Sequence, residues 1–214
     1  MRITITGANR GIGAELTSQY RGAGHDVVAT ARDDSADVSL DVSDPAQFDA
    51  LKDKLGAEPL DLLVCNAGVY LDKGHSLGDG YAPDLWAQTF AINVTGVFLT
   101  IEAAMPVLRR AQSPRIAIIS SQMASDERAP GGSYIYRASK AAVLNLGRNM
   151  ATDFRSEGIA VGIYHPGWVQ TDMGTGAADI SVEASASGLM AEFDRLSMAT
   201  TGCFRTWDGR DHPM

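Results

Sequence analysis

Short runs of β-branched and apolar residues alternate along this chain with longer stretches where apolar residues recur every three or four positions, the periods of strand and helix. Arg2-Ile-Thr-Ile-Thr6 reads as a first strand. It runs into Gly7-Ala-Asn-Arg-Gly11-Ile-Gly13, followed by a helical stripe at Ile12, Leu16 and Tyr20 that Gly22 and Gly24 close. Residues 26–32 give a second strand and residues 37–41 a third, too close together for a full helix between them, so one crossover is abbreviated. Asp44 reads as an N-cap with Pro45 at the first helical position and Gln47 as capping-box partner. Phe48, Leu51 and Leu55 then form a buried stripe, and Gly56 ends the helix. Residues 60–65 are a fourth strand, entering the turn Asn66-Ala-Gly68.

Residues 69–82 read as a loop. A helix follows from Pro83 through Trp86, Phe90, Ile92, Val94, Val97, Phe98, Ile101 and Met105, apolar almost all round. Such a helix is either fully buried or an oligomer interface, and Asn93 within it then needs a partner for its amide. Residues 115–119 are a fifth strand, 136–157 a helix, 159–164 a sixth strand, about 182–196 a further helix and 202–207 a last short strand. Strands and helices alternating at this pitch predict one doubly wound α/β domain: a parallel sheet of about seven strands with helices on both faces, joined by right-handed crossovers.

A chain of 214 residues with 45% apolar content suits one domain with a substantial core. The net charge of −8 argues against nucleic acid and anionic membrane surfaces as partners. With no charged leader before the first strand and no apolar run of membrane-spanning length, the expectation is a cytoplasmic protein. Cys65 and Cys203 suggest buried thiols rather than a disulfide framework, and the four scattered histidines show no metal-ligand spacing, so no metal site is expected.

Two stretches carry candidate chemistry. In the first turn the glycines let the backbone approach a pyrophosphate while the N–H groups of the new helix point at its charge; a structural turn without ligand is the plain alternative. Further on, Tyr136 and Lys140 stand four apart on one helical face. A fixed positive charge favours phenolate and draws a tyrosine toward the working range of an acid/base. A helix with one aromatic and one exposed lysine would give the same spacing.

Thr6-Gly7-x-x-x-Gly11-Ile-Gly13, Asn66-Ala-Gly68, Asn93, Ser121, Tyr136-x-x-x-Lys140 and Pro166-Gly167 occur in the order found in the short-chain dehydrogenase/reductase family, and the chain resembles that family from residue 2 to about 173. Tyr-Arg-Ala-Ser-Lys, His-Pro-Gly-Trp-Val-x-Thr-Asp-Met and a Trp-Asp-Gly ending are most similar to the small branch of C-factor-like and sniffer-like carbonyl reductases. The resemblance implies a Rossmann-like fold and a catalytic set of four. Tyr136 would exchange a proton with the substrate oxygen, Lys140 would lower the Tyr136 pKa and bind the nicotinamide ribose, Ser121 would donate to the substrate oxygen, and Asn93 would order a water beside the lysine. Ser121 lies fifteen residues before Tyr136, longer than the usual family spacing, so the loop with Pro130-Gly-Gly132 must take up the excess. Ser120, Ser125 and Ser133 compete for its role.

The resemblance also implies the cofactor contacts: Gly7, Asn9, Gly11, Ile12 and Gly13 at the pyrophosphate, Asp41 at the adenine beside Val42, Asn66, Ala67 and Gly68 along the ribose, and Pro166, Gly167, Val169 and Thr171 near the carboxamide. Tyr136 and Lys140 would complete the set. NADP(H) is preferred over NAD(H) because Ala31 stands where an acidic residue would bind the ribose hydroxyls, with Arg32 after it and Arg10 in the turn suited to a 2′-phosphate. Asp33 and Asp34 compete for these arginines. The expected activity is a carbonyl or alcohol oxidoreductase acting on a small molecule. The alternative is a cofactor-binding signalling protein of C-factor type, and the broad apolar helices suggest a homodimer or homotetramer. Residues 74–83 and 173–182 are expected to form the variable walls of the substrate pocket.

Overall fold

The computed structural model describes residues 1–78, 80–174 and 178–214. Its elements are β1 (Arg2–Thr6), α1 (Gly11–Gly22), β2 (Asp26–Ala31), β3 (Val38–Ser39), α2 (Phe48–Leu55), β4 (Leu62–Cys65), α3 (Pro83–Phe90), α4 (Gly96–Leu108), β5 (Arg115–Ile119), α5 (Tyr134–Asp153), β6 (Ala160–His165), α6 (Val182–Arg195) and β7 (Phe204–Thr206). The seven strands form one parallel sheet in the order β3-β2-β1-β4-β5-β6-β7. The doubly wound fold is as expected.

The central strands are apolar on both faces, as a sheet covered by helices on both sides requires. Ile3, Ile5, Leu62, Val64, Ala117 and Ile119 pack on one side with Leu16 and Tyr20 of α1 and Leu189 and Phe193 of α6. Leu63, Cys65, Ile116, Ile118, Val161 and Ile163 pack on the other with α2, α4 and α5. The chain runs from β1 outward to β3, then returns to place β4 on the far side of β1. That reversal opens a crevice at the carboxyl ends of β1 and β4, where open α/β sheets bind ligands.

Three local expectations are corrected. The third strand is only Val38–Ser39, because Asp41 turns the chain: its carboxylate accepts from the Ser43 N–H (2.9 Å) and hydroxyl (2.6 Å), while its own N–H donates to Gln47 Oε1 (2.7 Å). Local side-chain bonds of this kind end ladders. Gln47 does partner Asp44, its Nε2 donating to the Asp44 carboxylate (3.1 Å), but its Oε1 takes the Asp41 N–H in place of the Asp44 N–H that a capping box would use, and Asp44 caps through the Ala46 N–H (3.0 Å) at the head of a 3₁₀ turn, Pro45–Gln47. The helix expected from residue 136 begins at Tyr134 and ends at Asp153 in a 3₁₀ turn, Phe154–Glu157.

Between α3 and α4 lies a π-helical turn, Ala91–Thr95. The stretch Pro83–Leu108 corrects a further expectation, since by length and composition alone it is apolar enough to cross a membrane. Most of its most apolar window is buried inside the fold, as in a core helix. Nine residues of α4 are buried, and among the described residues of α3, α4 and α5 the large apolar side chains left exposed are Trp86, Phe98 and Tyr134.

Candidate active site

The crevice begins at the turn after β1. Gly7 holds φ +67°, and a Cβ there would meet the Ala67 Cα at 2.9 Å; at Gly13 it would lie 2.2 Å from the Gly7 carbonyl oxygen. Side chains at either position would push apart the two turns that flank the crevice. Asn66 ties them together: its Nδ2 donates to the carbonyls of Thr6 (3.0 Å) and Gly7 (3.1 Å), and the Thr6 hydroxyl accepts from the N–H groups of Asn66 and Ala67 (3.1 Å each). At the start of α1, Arg10 offers no side-chain cap and the first turn holds no acidic residue. The first N–H groups of that helix are thus left for an anion. These features fit a dinucleotide pyrophosphate.

The groove is lined by Gly7, Asn9, Arg10, Gly11, Ile12, Arg32, Asp41, Val42, Asn66, Ala67, Gly68, Tyr136, Lys140, Pro166 and Thr171. Gly13 lies behind it as a packing point, and Gly167 and Val169 face the adjoining cavity instead. Arg10 is held by Asp172 (2.9 Å), Asp33 accepts from the Asn9 amide (3.1 Å), and Arg32 makes no ion pair among the described residues.

That adjoining cavity, of about 350 Å³, meets the groove at Tyr136, and its volume suits a small molecule. Ser121, Tyr70, Met123, Trp168 and Met173 are among its walls. Of the two stretches expected to form the walls, 74–83 contributes no lining residue among those described, while Met173 and Gly174 come from the other. Residues 79 and 175–177 lie outside the described part.

Among the four serines, Ser121 is the one that shares the cavity wall with Tyr136 and whose hydroxyl favours the ionised phenol, while accepting from the Met123 N–H (3.1 Å). Ser120 donates to the Lys140 carbonyl (3.1 Å), Ser125 to the Met214 carbonyl (3.0 Å), and Ser133 meets the Tyr70 hydroxyl. The longer spacing is taken up by a 3₁₀ turn, Gln122–Ala124, and by left-handed Gly131 and Gly132. Lys140 is buried, its Nζ 5.7 Å from the Tyr136 ring centroid and donating to the Ile119 carbonyl (3.0 Å). Asn93 lies behind the groove. Its Oδ1 accepts from the Val69 N–H (2.8 Å), and its Nδ2 donates to the Val69 carbonyl (2.9 Å) and the Ser139 hydroxyl (3.0 Å). The Ser139 hydroxyl donates in turn to the Tyr136 carbonyl (2.8 Å). The π-helical turn containing Asn93 thus braces the turn after β4 against the helix that carries Tyr136, and π-turns often mark functional sites.

One electrostatic expectation is corrected. Burial pushes the Tyr136 phenol up to about 12, against the opposing effect of the Ser121 hydroxyl, with Tyr70 and Asp72 adding to the rise. Burial likewise lowers Lys140 to about 8. Desolvation outweighs pair attraction here because the ammonium lies by the tyrosine ring and bonds a backbone carbonyl. Tyr70 and Asp72 are also side chains that sequence reasoning missed. The Tyr70 ring stacks on Tyr136 with centroids 4.2 Å apart, and Asp72, fully buried, accepts from the N–H groups of Ile135 (2.9 Å) and Tyr136 (3.2 Å). Both lie in an aperiodic loop, where no pattern separates them from solvated residues.

The short chain dehydrogenase family model matches residues 1–179. The C-signal of Myxococcus xanthus is 39% identical over 156 residues, covering 72% of this chain and 93% of that protein. A 1-hydroxy-2-glutathionyl-2-methyl-3-butene dehydrogenase from Rhodococcus sp. (strain AD45) is 32% identical over 224 residues, covering 97% of this chain and 96% of that one. The structure of NADPH-bound carbonyl reductase from chicken fatty liver is similar at a TM-score of 0.91 and 27% identity, covering 100% of this chain and 98% of that one.

Proposed function

The chain belongs to the short-chain dehydrogenase family, and on that premise we propose that it is an NADP(H)-dependent oxidoreductase interconverting small carbonyl and alcohol compounds, with Tyr136 as acid/base. The observation that carries this reading is that Tyr136 and Ser121 both line the small-molecule cavity, and that Tyr136 also lines the cofactor groove where the two join. The nicotinamide, when bound, supplies or accepts the hydride. Gly7, Gly11 and the open N-terminus of α1 would hold the pyrophosphate, Asn66, Ala67 and Gly68 would lie along the adenosine ribose, and Lys140 would offer its ammonium to the nicotinamide ribose. In reduction Tyr136 gives its proton to the carbonyl oxygen, while the Ser121 hydroxyl donates to the same oxygen as charge grows on it. A phenol raised to about 12 is protonated at neutral pH, the form that this direction needs.

Arg32, which makes no ion pair among the described residues and stands beside Ala31 in the groove, supports NADP(H) over NAD(H). The exposed Phe98 and Trp86 support self-association through α3 and α4. The likeness to C-signal favours one second reading, a cofactor-binding signalling protein on the same fold. Following NADPH consumption with a panel of aldehydes, ketones and quinones separates the two. Turnover lost in Tyr136→Phe with NADPH affinity kept within a few-fold supports the enzyme; tight NADPH binding with no turnover on any compound favours the second reading, and substantial activity in the phenylalanine variant refutes the role of Tyr136.

A further inference from the structure

The helix that presents Tyr136 has an unusual start. Ser133, at its cap position, adopts left-handed backbone (φ +49°), uncommon for a residue with a side chain, and makes no side-chain bond to its own first turn. The N–H groups of that turn still need acceptors. Asp72 supplies them from another segment: its two carboxylate oxygens take the N–H groups of Ile135 and Tyr136, the second and third residues of the helix. No ion pair involves this carboxylate among the described residues, and it is fully buried, so its charge rests on the helix N-terminus. Two residues before it, Tyr70 stacks on the Tyr136 ring and bonds the Ser133 hydroxyl.

Building on the reading of Tyr136 as acid/base, we infer that Asp72 is its positioning residue: by bonding the N–H of Tyr136 and its neighbour, it fixes the first turn of α5 and so where the phenol stands. Asp72 touches neither groove nor cavity, and acts through Tyr136 alone. A second effect follows from its charge. The groups facing the phenol are Ser121 from the turn after β5, Tyr70 and Asp72 from the loop after β4, Lys140 from α5, and Lys73 and His165 across the cavity, His165 held neutral by burial. Asp72 is the only carboxylate in that set, so it favours the protonated phenol.

The test uses the full chain with Asp72→Ala and Asp72→Asn. With any carbonyl compound of the panel that is turned over, Asp72→Ala should lower kcat about 10-fold or more, since a small misplacement of a reacting group is costly, and leave NADPH affinity within about two-fold. Asp72→Asn keeps an oxygen acceptor in the same volume and should recover most of kcat. Without the charge, its phenol should ionise at lower pH, moving the basic limb of the reduction profile down. That shift is also read without turnover, from near-ultraviolet phenolate absorbance, with Tyr136→Phe identifying the step that belongs to Tyr136. Variants that only melt earlier, with kcat and phenolate titration unchanged in the folded protein, overturn the inference. If Asp72→Ala does not fold, Asp72→Asn decides it by titration. Activity surviving in Tyr136→Phe would fell the acid/base reading alone, while the titration would still show whether Asp72 governs that phenol.

Discussion

Lys140 is buried with one neutral hydrogen-bond acceptor among the described residues, the Ile119 carbonyl. Desolvation there brings its pKa from 10.5 to about 8. Below about pH 8 the folded and unfolded chains both hold the proton, and the native state carries the full penalty of a buried ammonium. As pH rises from about 8 toward 10.5, the native lysine has released its proton while the unfolded one still holds it, so stability increases through that window. At about 1.36 kcal/mol per unit, the shift corresponds to roughly 3 kcal/mol, of which about 2 kcal/mol should appear between about pH 7 and about pH 9.5. Lys140→Met removes the titration and leaves the other groups in place. Urea unfolding of the cofactor-free protein across that range should therefore show the unmodified chain gaining about 2 kcal/mol relative to the variant, or roughly 4–8 °C in Tm for a domain of this size. Opposing contributions, such as the raised thiol of Cys65, are common to both proteins and subtract out. Parallel stability curves would mean that Lys140 stays charged throughout and would refute the burial argument.

Arg32→Ala should weaken NADPH by at least about 10-fold and hardly touch NADH, because a charge-assisted contact is worth about 1.5–3 kcal/mol. Arg10→Ala should do less, since Asp172 already engages that guanidinium; equal Kd values for NADH and NADPH in the unmodified protein would remove the basis of both. Light scattering should give the unmodified chain an oligomeric mass that Phe98→Asp reduces, and a monomeric mass over a wide concentration range would exclude self-association through this face.

What the sequence disclosed is what local pattern encodes. The Gly turn, the strand that ends in Asn66-Ala-Gly68, and the Tyr136/Lys140 pair stand at spacings fixed by one strand end or one helical turn, and the structure places them around the crevice at the switch between β1 and β4. The π-helical turn escaped because its extra residue rotates the apolar stripe, so two ordinary stripes read in sequence as one helix apolar all round. Asp72 escaped because its partners are backbone N–H groups more than sixty positions away. The Tyr136 phenol was misjudged because the offset of a lysine is visible in sequence, but the depth at which both side chains lie is a property of the packed molecule.

The central place of β1 bears on how the chain assembles during synthesis. Its β2 partner is complete at residue 31, but its β4 partner is not complete until residue 65. At about 5–20 residues per second, those 34 residues take about 2–7 seconds to make. For that interval one edge of the future sheet centre has no strand to pair with, and open apolar edges template aggregation. The β4 edge then waits longer still, from residue 65 to the end of its β5 partner at residue 119, so slow codons between residues 65 and 119 should depress the soluble yield more than slow codons between residues 31 and 65.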